Sequence, residues 1–407
     1  MRKALVFALA AASLAFGADP RPKVRAITAF IRIDANHYES QVAEAARFLN
    51  AARAEYQASG FEVQTIRIVT QPLAEYIRGM KHEDAVALVR KYGELAVKLG
   101  ARPNLGALML DPGEDRFATD VAIDVFSSTE VNGSLIVATE NGIRWKSVHE
   151  AARVIQSVAA KSPKGNGNFN FAAAAMVRPY TPFYPAAYHT GPGRTFAVGL
   201  ESANVVQEVF AAVHEAGPAE DRLSAALTGH LLPAEAAAVR IAAHTGWAYA
   251  GIDPTPAPMG DVSIAAAIES FTGAPFGSGG TMTAAGIITR AVQSTPVKQA
   301  GYSGLMVPVL EDNLLAKRWA EGTYNIDSLL AYSAVCAGGL DTVPLPGDVT
   351  EEQIARIVGD VASLAFKWRK PLAARLLPAP GKKAGDHTDF PDTRMAGTVL
   401  QRLPGSR

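Results

Sequence analysis

Cysteine is nearly absent from this chain of 407 residues: Cys336 is the only one. That excludes an intramolecular disulfide and any multi-cysteine zinc or iron–sulfur site. Net charge is absent too. The 39 basic and 39 acidic residues cancel, so no basic field points to nucleic acid or to an anionic membrane surface. After residue 16 no segment has the length and purity of a membrane helix. No Pro/Gly/Ser stretch is long enough to divide the chain, and no short-period repeat occurs. No nucleotide-cofactor fingerprint and no H-E-x-x-H zinc motif is present.

What is present is a large apolar content, 48% of residues against 19% charged, ample for an extensive core. The N-terminus reads MRKALVFALAAASLAFGADP. Arg2 and Lys3 form a positive n-region, and Ala4–Phe16 is apolar but too short to span a bilayer comfortably. Ala15 and Gly17 are the small residues of a cleavage site before Ala18. The stretch predicts a signal peptide over 1–17 and an exported protein, periplasmic or extracellular, with no membrane partner after cleavage. The competing reading is an apolar first strand in a cytosolic protein.

Strand-like and helix-like segments then alternate. VRAITAFIRI, FEVQTIRIV, LGALML, GSLIVA, FNFAAAAMV, TFAVGLE, AYAGID, SGLMVPVLE, GGLDTVPL and LAARLLP are apolar and short, and helical patterns separate most of them. Strands joined by helical crossovers pair in parallel. About ten in one uninterrupted chain predict a single α/β domain over 18–380, a ten-stranded, mainly parallel α/β barrel. A polar, loop-like tail follows over 381–407.

Several strands end in a carboxylate: Asp34, Asp111, Glu201, Asp253, Glu311 with Asp312, and Asp341, with Asp348 in the loop beyond. In parallel α/β architectures strand C-termini gather where ligands bind. Helix capping explains acids at such places equally simply. Asp253, Asp341 and Asp348 are the candidate ligands of a divalent metal, since hard cations prefer oxygen. Glu201, Asn170 and Asp261 are candidate substrate contacts. FGSGGTMTAAG offers Gly279, Gly280 and Thr281 as an anion-binding turn before a helix, or as a tight turn and no more. A long loop rich in proline and aromatics ends at Tyr188 and His189 and is suited to covering a pocket. His189 is either catalytic or a satisfied structural histidine. Cys336 sits in a Gly-rich turn five residues before Asp341. It is either a nucleophile, with Asp253, Asp341 and His189 as its companions, or a small buried hydrophobe.

The segments GNFNFAA, PFYPAAYH, FAVGLESANVV, GIDPTPAPMGD, GSGGTMTAA, GLMVPVLED and SAVCAGGLDTVPLPGD resemble a prokaryotic family filed as domain of unknown function 711. The likeness covers most of the chain beyond the leader and is most specific from Gly251 to Asp348. It implies a ten-stranded barrel of the pyruvate formate-lyase-like type and, by analogy, a Cys336 pointing into the barrel. The expectation is an enzyme acting on a small polar or anionic molecule in that cavity. The alternative is a non-catalytic protein that binds such a ligand, and a homo-oligomer is compatible with either.

Overall fold

The computed structural model describes residues 21–108 and 116–403. The expected signal peptide at 1–17 and the strand-end Asp111 lie outside the described residues. Ten strands form one sheet: β1 (Lys23–Phe30), β2 (Val63–Val69), β3 (Ala101–Ala107), β4 (Asn132–Thr139), β5 (Gly142–Ile143), β6 (Phe171–Ala175), β7 (Thr195–Glu201), β8 (Ala248–Asp253), β9 (Gly338–Pro346) and β10 (Leu372–Ala379). The order is β8-β7-β1-β2-β3-β4-β6-β10-β9, with β5 appended to β4. β1, β2, β3, β4 and β6 run parallel. β7 and β8 are parallel to each other, as are β10 and β9. Two antiparallel seams, β1–β7 and β6–β10, join these groups.

The sheet is therefore mainly parallel and ten-stranded, but its strand ladder runs from β8 to β9 without closing. The predicted strand SGLMVPVLE forms no ladder. It makes one isolated bridge, Pro308 to Asp341, because a proline inside it cannot donate to a neighbour. The seams also separate some of the acids at strand ends. Glu201, at the end of β7, pairs with Lys23 at the start of β1. Asp34, beyond the far end of β1, therefore lies at the opposite end of the sheet.

Alternation separates two buried faces. Val24, Ile27, Ile66, Ile68, Leu135, Val137, Val198, Leu340 and Leu372 join the large core formed with the helices. The principal helices behind it are α1 (Tyr38–Ala58), α3 (His82–Lys98), α5 (Trp145–Lys161), α7 (Ala216–Thr245), α9 (Thr281–Gln293) and α12 (Glu351–Trp368); the shorter ones are α2 (Leu73–Ile77), α4 (Phe117–Phe126), α6 (Ala203–Ala212), α8 (Ile264–Thr272), α10 (Asn313–Ala320) and α11 (Ile326–Ser333). Thr350 and Gln353 form a capping box at the start of α12. The opposite, inner face carries a smaller cluster that includes Ile136, Ala172, Ala174, Phe183, Tyr188, Tyr302, Met306 and Ala373.

Two irregular segments cover the inner face. Residues 177–189 cross it, held where Pro182 O accepts from Thr28 Oγ1 (2.9 Å) and Pro185 O accepts from Asn104 Nδ2 (3.0 Å). The tail is the second cover. Residues 385–400 fold into a hairpin in which His387 bridges Val399. Thr398 Oγ1 donates to Ala316 O (2.6 Å), Gln401 Nε2 to Trp319 O (2.6 Å), and Ala396 N to Leu310 O (2.7 Å).

Candidate functional site

A cavity of about 160 Å³ opens on the inner face, and its lining includes Arg25, Arg67, Arg102, Arg375 and Arg394 together with Glu311, Asp341, Tyr184 and Tyr302. Small residues make the space: Ala172 on β6, Ala373 on β10 and Gly338 on β9 all border it. Each of four strands supplies one arginine to it. Arg67 on β2 and Arg102 on β3 take inward-pointing places by simple alternation. Arg25 is an extra residue in β1, where pairing steps from Val24↔Leu200 to Ala26↔Gly199. A second irregularity, between Ala374↔Leu340 and Leu376↔Val343, lies where β10 presents Arg375 and β9 presents Asp341. Bulges re-aim side chains in this way next to binding sites.

The charges divide into two groups. Along one wall runs a continuous chain of ion pairs. Arg25 binds Glu201 (3.1 Å) and Glu311 (3.3 Å); Arg375 binds Glu311 through Nη2 and Asp341 through Nε (2.7 Å). Three carboxylates thus share two guanidinium groups. Burial works against ionisation of Glu311 and Asp341, but Glu311 touches both arginines and is held below the usual carboxylate range. Asp341 touches only one. Burial and the negative charge of Glu311 push it above that range. Two neighbouring carboxyls driven in opposite directions form the arrangement acid–base chemistry requires. The phenol of Tyr302, also on the lining, lies within the field of Asp341.

Beside this chain, one strand over from Arg25, stands Arg67, 8% exposed. Its Nε donates to Thr65 Oγ1 (3.1 Å), its Nη1 to Pro182 O (3.4 Å), and its guanidinium lies over the Tyr184 ring at 4.7 Å. Among the described residues no carboxylate pairs with it. Burial, and then the like charge of Arg25, push it down to about 9. The cavity therefore holds a surplus cation at Arg67 and a surplus acid around Asp341.

Of the residues singled out from sequence, Asp341 reaches the cavity lining, with Glu311 beside it and Glu201 one ion pair behind. The others do not meet there. Asp253 is fully buried but turned into its own loop, accepting from Thr255 N (3.0 Å), Thr255 Oγ1 (2.6 Å), Tyr302 N (2.7 Å) and Ser303 N (3.1 Å). It fixes the backbone that carries Tyr302, and burial pushes it up to about 6. Gly301 makes this fit possible. Its φ is +70°, and a Cβ there would meet Asp253 Oδ2 at 2.0 Å. Asp348 is exposed beyond the end of β9, so Asp253, Asp341 and Asp348 do not converge. Asp312 is a capping residue, accepting from Leu314 N (3.0 Å) and Leu315 N (3.1 Å).

Cys336 belongs to the outer packing layer, whereas the next residue, Ala337, belongs to the inner one. Burial pushes its thiol up to about 11 despite the nearby Lys370, the reverse of what a thiolate nucleophile needs. His189 is fully buried against Phe30, with Nε2 2.8 Å from Ile31 O at the far end of β1. Its proton affinity is lowered, first by burial. Asn170 Nδ2 donates to Thr129 O (3.2 Å), and Asp261 accepts from Asn313 Nδ2 (2.7 Å) at the surface. Gly279, Gly280 and Thr281 begin α9, where the Thr281 hydroxyl accepts from Gly277 N (3.0 Å) within the turn.

The cavity arginines went unread in the sequence. The signal was there: single arginines interrupt VRAITAF, VQTIRIV, ARPNLGA and LAARLLPA, each at one position of an apolar strand.

The family model described as Uncharacterised ACR (DUF711) matches residues 19–394. The UPF0210 protein of Pyrobaculum arsenaticum is 34% identical over 281 residues, which are 66% of this chain and 61% of that protein. UPF0210 protein PAE3581 of Pyrobaculum aerophilum is 29% identical over 349 residues, 81% of this chain and 77% of that one. The UPF0210 protein of Desulforudis audaxviator is 29% identical over 366 residues, 85% and 79% of the respective chains.

Proposed function

The chain belongs to the DUF711 family, and from that premise and the chemistry of its cavity we propose an enzyme whose substrate is a small hydroxy or amino acid. The observation that carries this is the charge imbalance of the cavity: Arg67 with no carboxylate paired to it among the described residues, and beside it three carboxylates sharing two arginines. A buried unpaired cation is costly, and an anionic group of the substrate offsets that cost. The hydroxyl or amine of the substrate then lies towards Asp341, which exchanges its proton. Glu311 stays ionised and raises the proton affinity of Asp341. The size agrees. A cavity near 150 Å³ takes a molecule the size of benzene, so 160 Å³ suits roughly six to ten non-hydrogen atoms. The segment 177–189 and Tyr184 exclude water from one side, which strengthens each charge interaction inside.

The barrel belongs to this reading as well. We propose that the sheet acts as a barrel of the pyruvate formate-lyase-like type. Support comes from the segment between β8 and β9, where Gln299 bridges Ile252 and Pro308 bridges Asp341, so one irregular stretch touches both free edges. Export is supported by the charged and apolar pattern of residues 2–16; N-terminal sequencing that returns Met1 from a cytosolic fraction rejects it.

Isothermal titration with L-lactate and L-serine tests the substrate class. Binding to the wild type that disappears in Arg67→Met is the expected result. Binding unchanged in Arg67→Met rejects the site.

A further inference from the structure

The C-terminal hairpin brings a residue to the cavity that neither the strands nor the strand-end acids supply. Arg394 sits at its tip. Asp392 grips it through Nε (2.9 Å) and Nη2 (2.5 Å), and Asp392 also accepts from the Arg394 backbone N–H (2.9 Å). The guanidinium lies over Phe169 at 4.6 Å, and Arg375 lies over the same ring at 4.8 Å. The hairpin is fastened on both sides of the opening: Asp389 binds Lys164 (2.9 Å) before β6, and Ala396 N donates to Leu310 O, next to Glu311.

Arg394 and Arg102 are the more exposed cations of the lining, at 37% and 40%, against 8% for Arg375. Each is held by an acid, Asp392 or Glu130, and neither acid borders the cavity. The acids stand behind, and the arginines face in. A guanidinium has five N–H donors; Arg394 meets Asp392 with its Nε and Nη2 edge, and among the described residues nothing engages Nη1, which is left for a ligand. Its orientation is fixed before anything binds, so little ordering cost falls on binding.

We infer that the hairpin is part of the binding site and that Arg394 is a specificity-determining contact for a second anionic group of the ligand. The ligand class is then a hydroxy or amino acid with anionic groups at both ends, one on Arg67 at depth and one between Arg394 and Arg102 at the mouth. This rests on the reading of the cavity as a small-acid site.

Titration calorimetry of the full chain without its leader, with L-malate and L-lactate, separates the two ideas, because the pair differs by one carboxylate. The wild type is expected to bind malate at least about tenfold more tightly, the range for a charge-assisted hydrogen bond. Arg394→Gln should reduce malate to the lactate level and leave lactate unchanged. Arg394→Lys, which keeps the charge but loses the fork to Asp392, should fall between. Equal affinities in the wild type overturn the assignment of Arg394 and leave the small-acid site standing. So does an Arg394→Gln that weakens both ligands alike with an unchanged thermal midpoint. Failure of both ligands to bind the wild type overturns the small-acid site and this inference together.

Discussion

Arg67→Met distinguishes a residue kept for a ligand from one kept for the fold. Moving the guanidinium from its ordinary 12.5 to about 9 corresponds to ~5 kcal/mol against the charged form. The compensations inside the protein are the bond to Thr65 and the long bond to Pro182, about 1 kcal/mol each. Methionine retains most of the stem packing. Pro182 O keeps its bond from Thr28, so no acceptor is orphaned. The ligand-free protein should therefore gain ~3 kcal/mol. The assay is urea unfolding followed by tryptophan fluorescence, with a raised midpoint and an unchanged slope. A loss of more than about 1 kcal/mol would show that Arg67 is held by the fold and refute the reasoning.

Arg375→Met should have the opposite sign. It leaves Glu311 and Asp341 buried beside each other, and about 3–5 kcal/mol should be lost; a loss under about 1 kcal/mol in the same unfolding assay would mean that the acid chain does not depend on that guanidinium. Cys336→Ser should cost on the order of 1 kcal/mol and leave malate affinity untouched, and a lost affinity would return the thiol to the site. Asp253 has a folded pKa of about 6, above the unfolded 3.8. Its contribution is complete below pH ~4 and is lost as pH rises through about 6, a change of ~3 kcal/mol. Asp253→Asn should remove that slope from the pH dependence of stability; an unchanged slope assigns it to other groups.

The strands were legible because apolar runs bounded by turn residues do not depend on tertiary context. Their directions were not. The connection from β6 to β7 contains the segment 177–189 in place of a helix, so β7 returns antiparallel to β1, and nothing local in TFAVGLE marks this. The acids at strand ends were legible as a class, yet their roles were not. Glu311 and Asp341 become a site only because Arg375 and Arg25 arrive from strands far away in sequence. Asp312, the next residue to Glu311, caps a helix. The arginines were visible as isolated charges in apolar strands. Recognising them as inward-facing required knowing that the second face of the sheet is covered as well. Arg394 was hidden most deeply: a polar tail reads as solvent-exposed until the hydrogen bonds that fasten it, such as the Thr398 hydroxyl to Ala316 O, are known.

The most direct test of the cavity as a small-acid site is a crystal structure of the protein soaked with L-malate. The account predicts one carboxylate within about 3 Å of the Arg67 guanidinium and the hydroxyl within about 3 Å of Asp341. Malate bound at some other place while this cavity holds only water would contradict it.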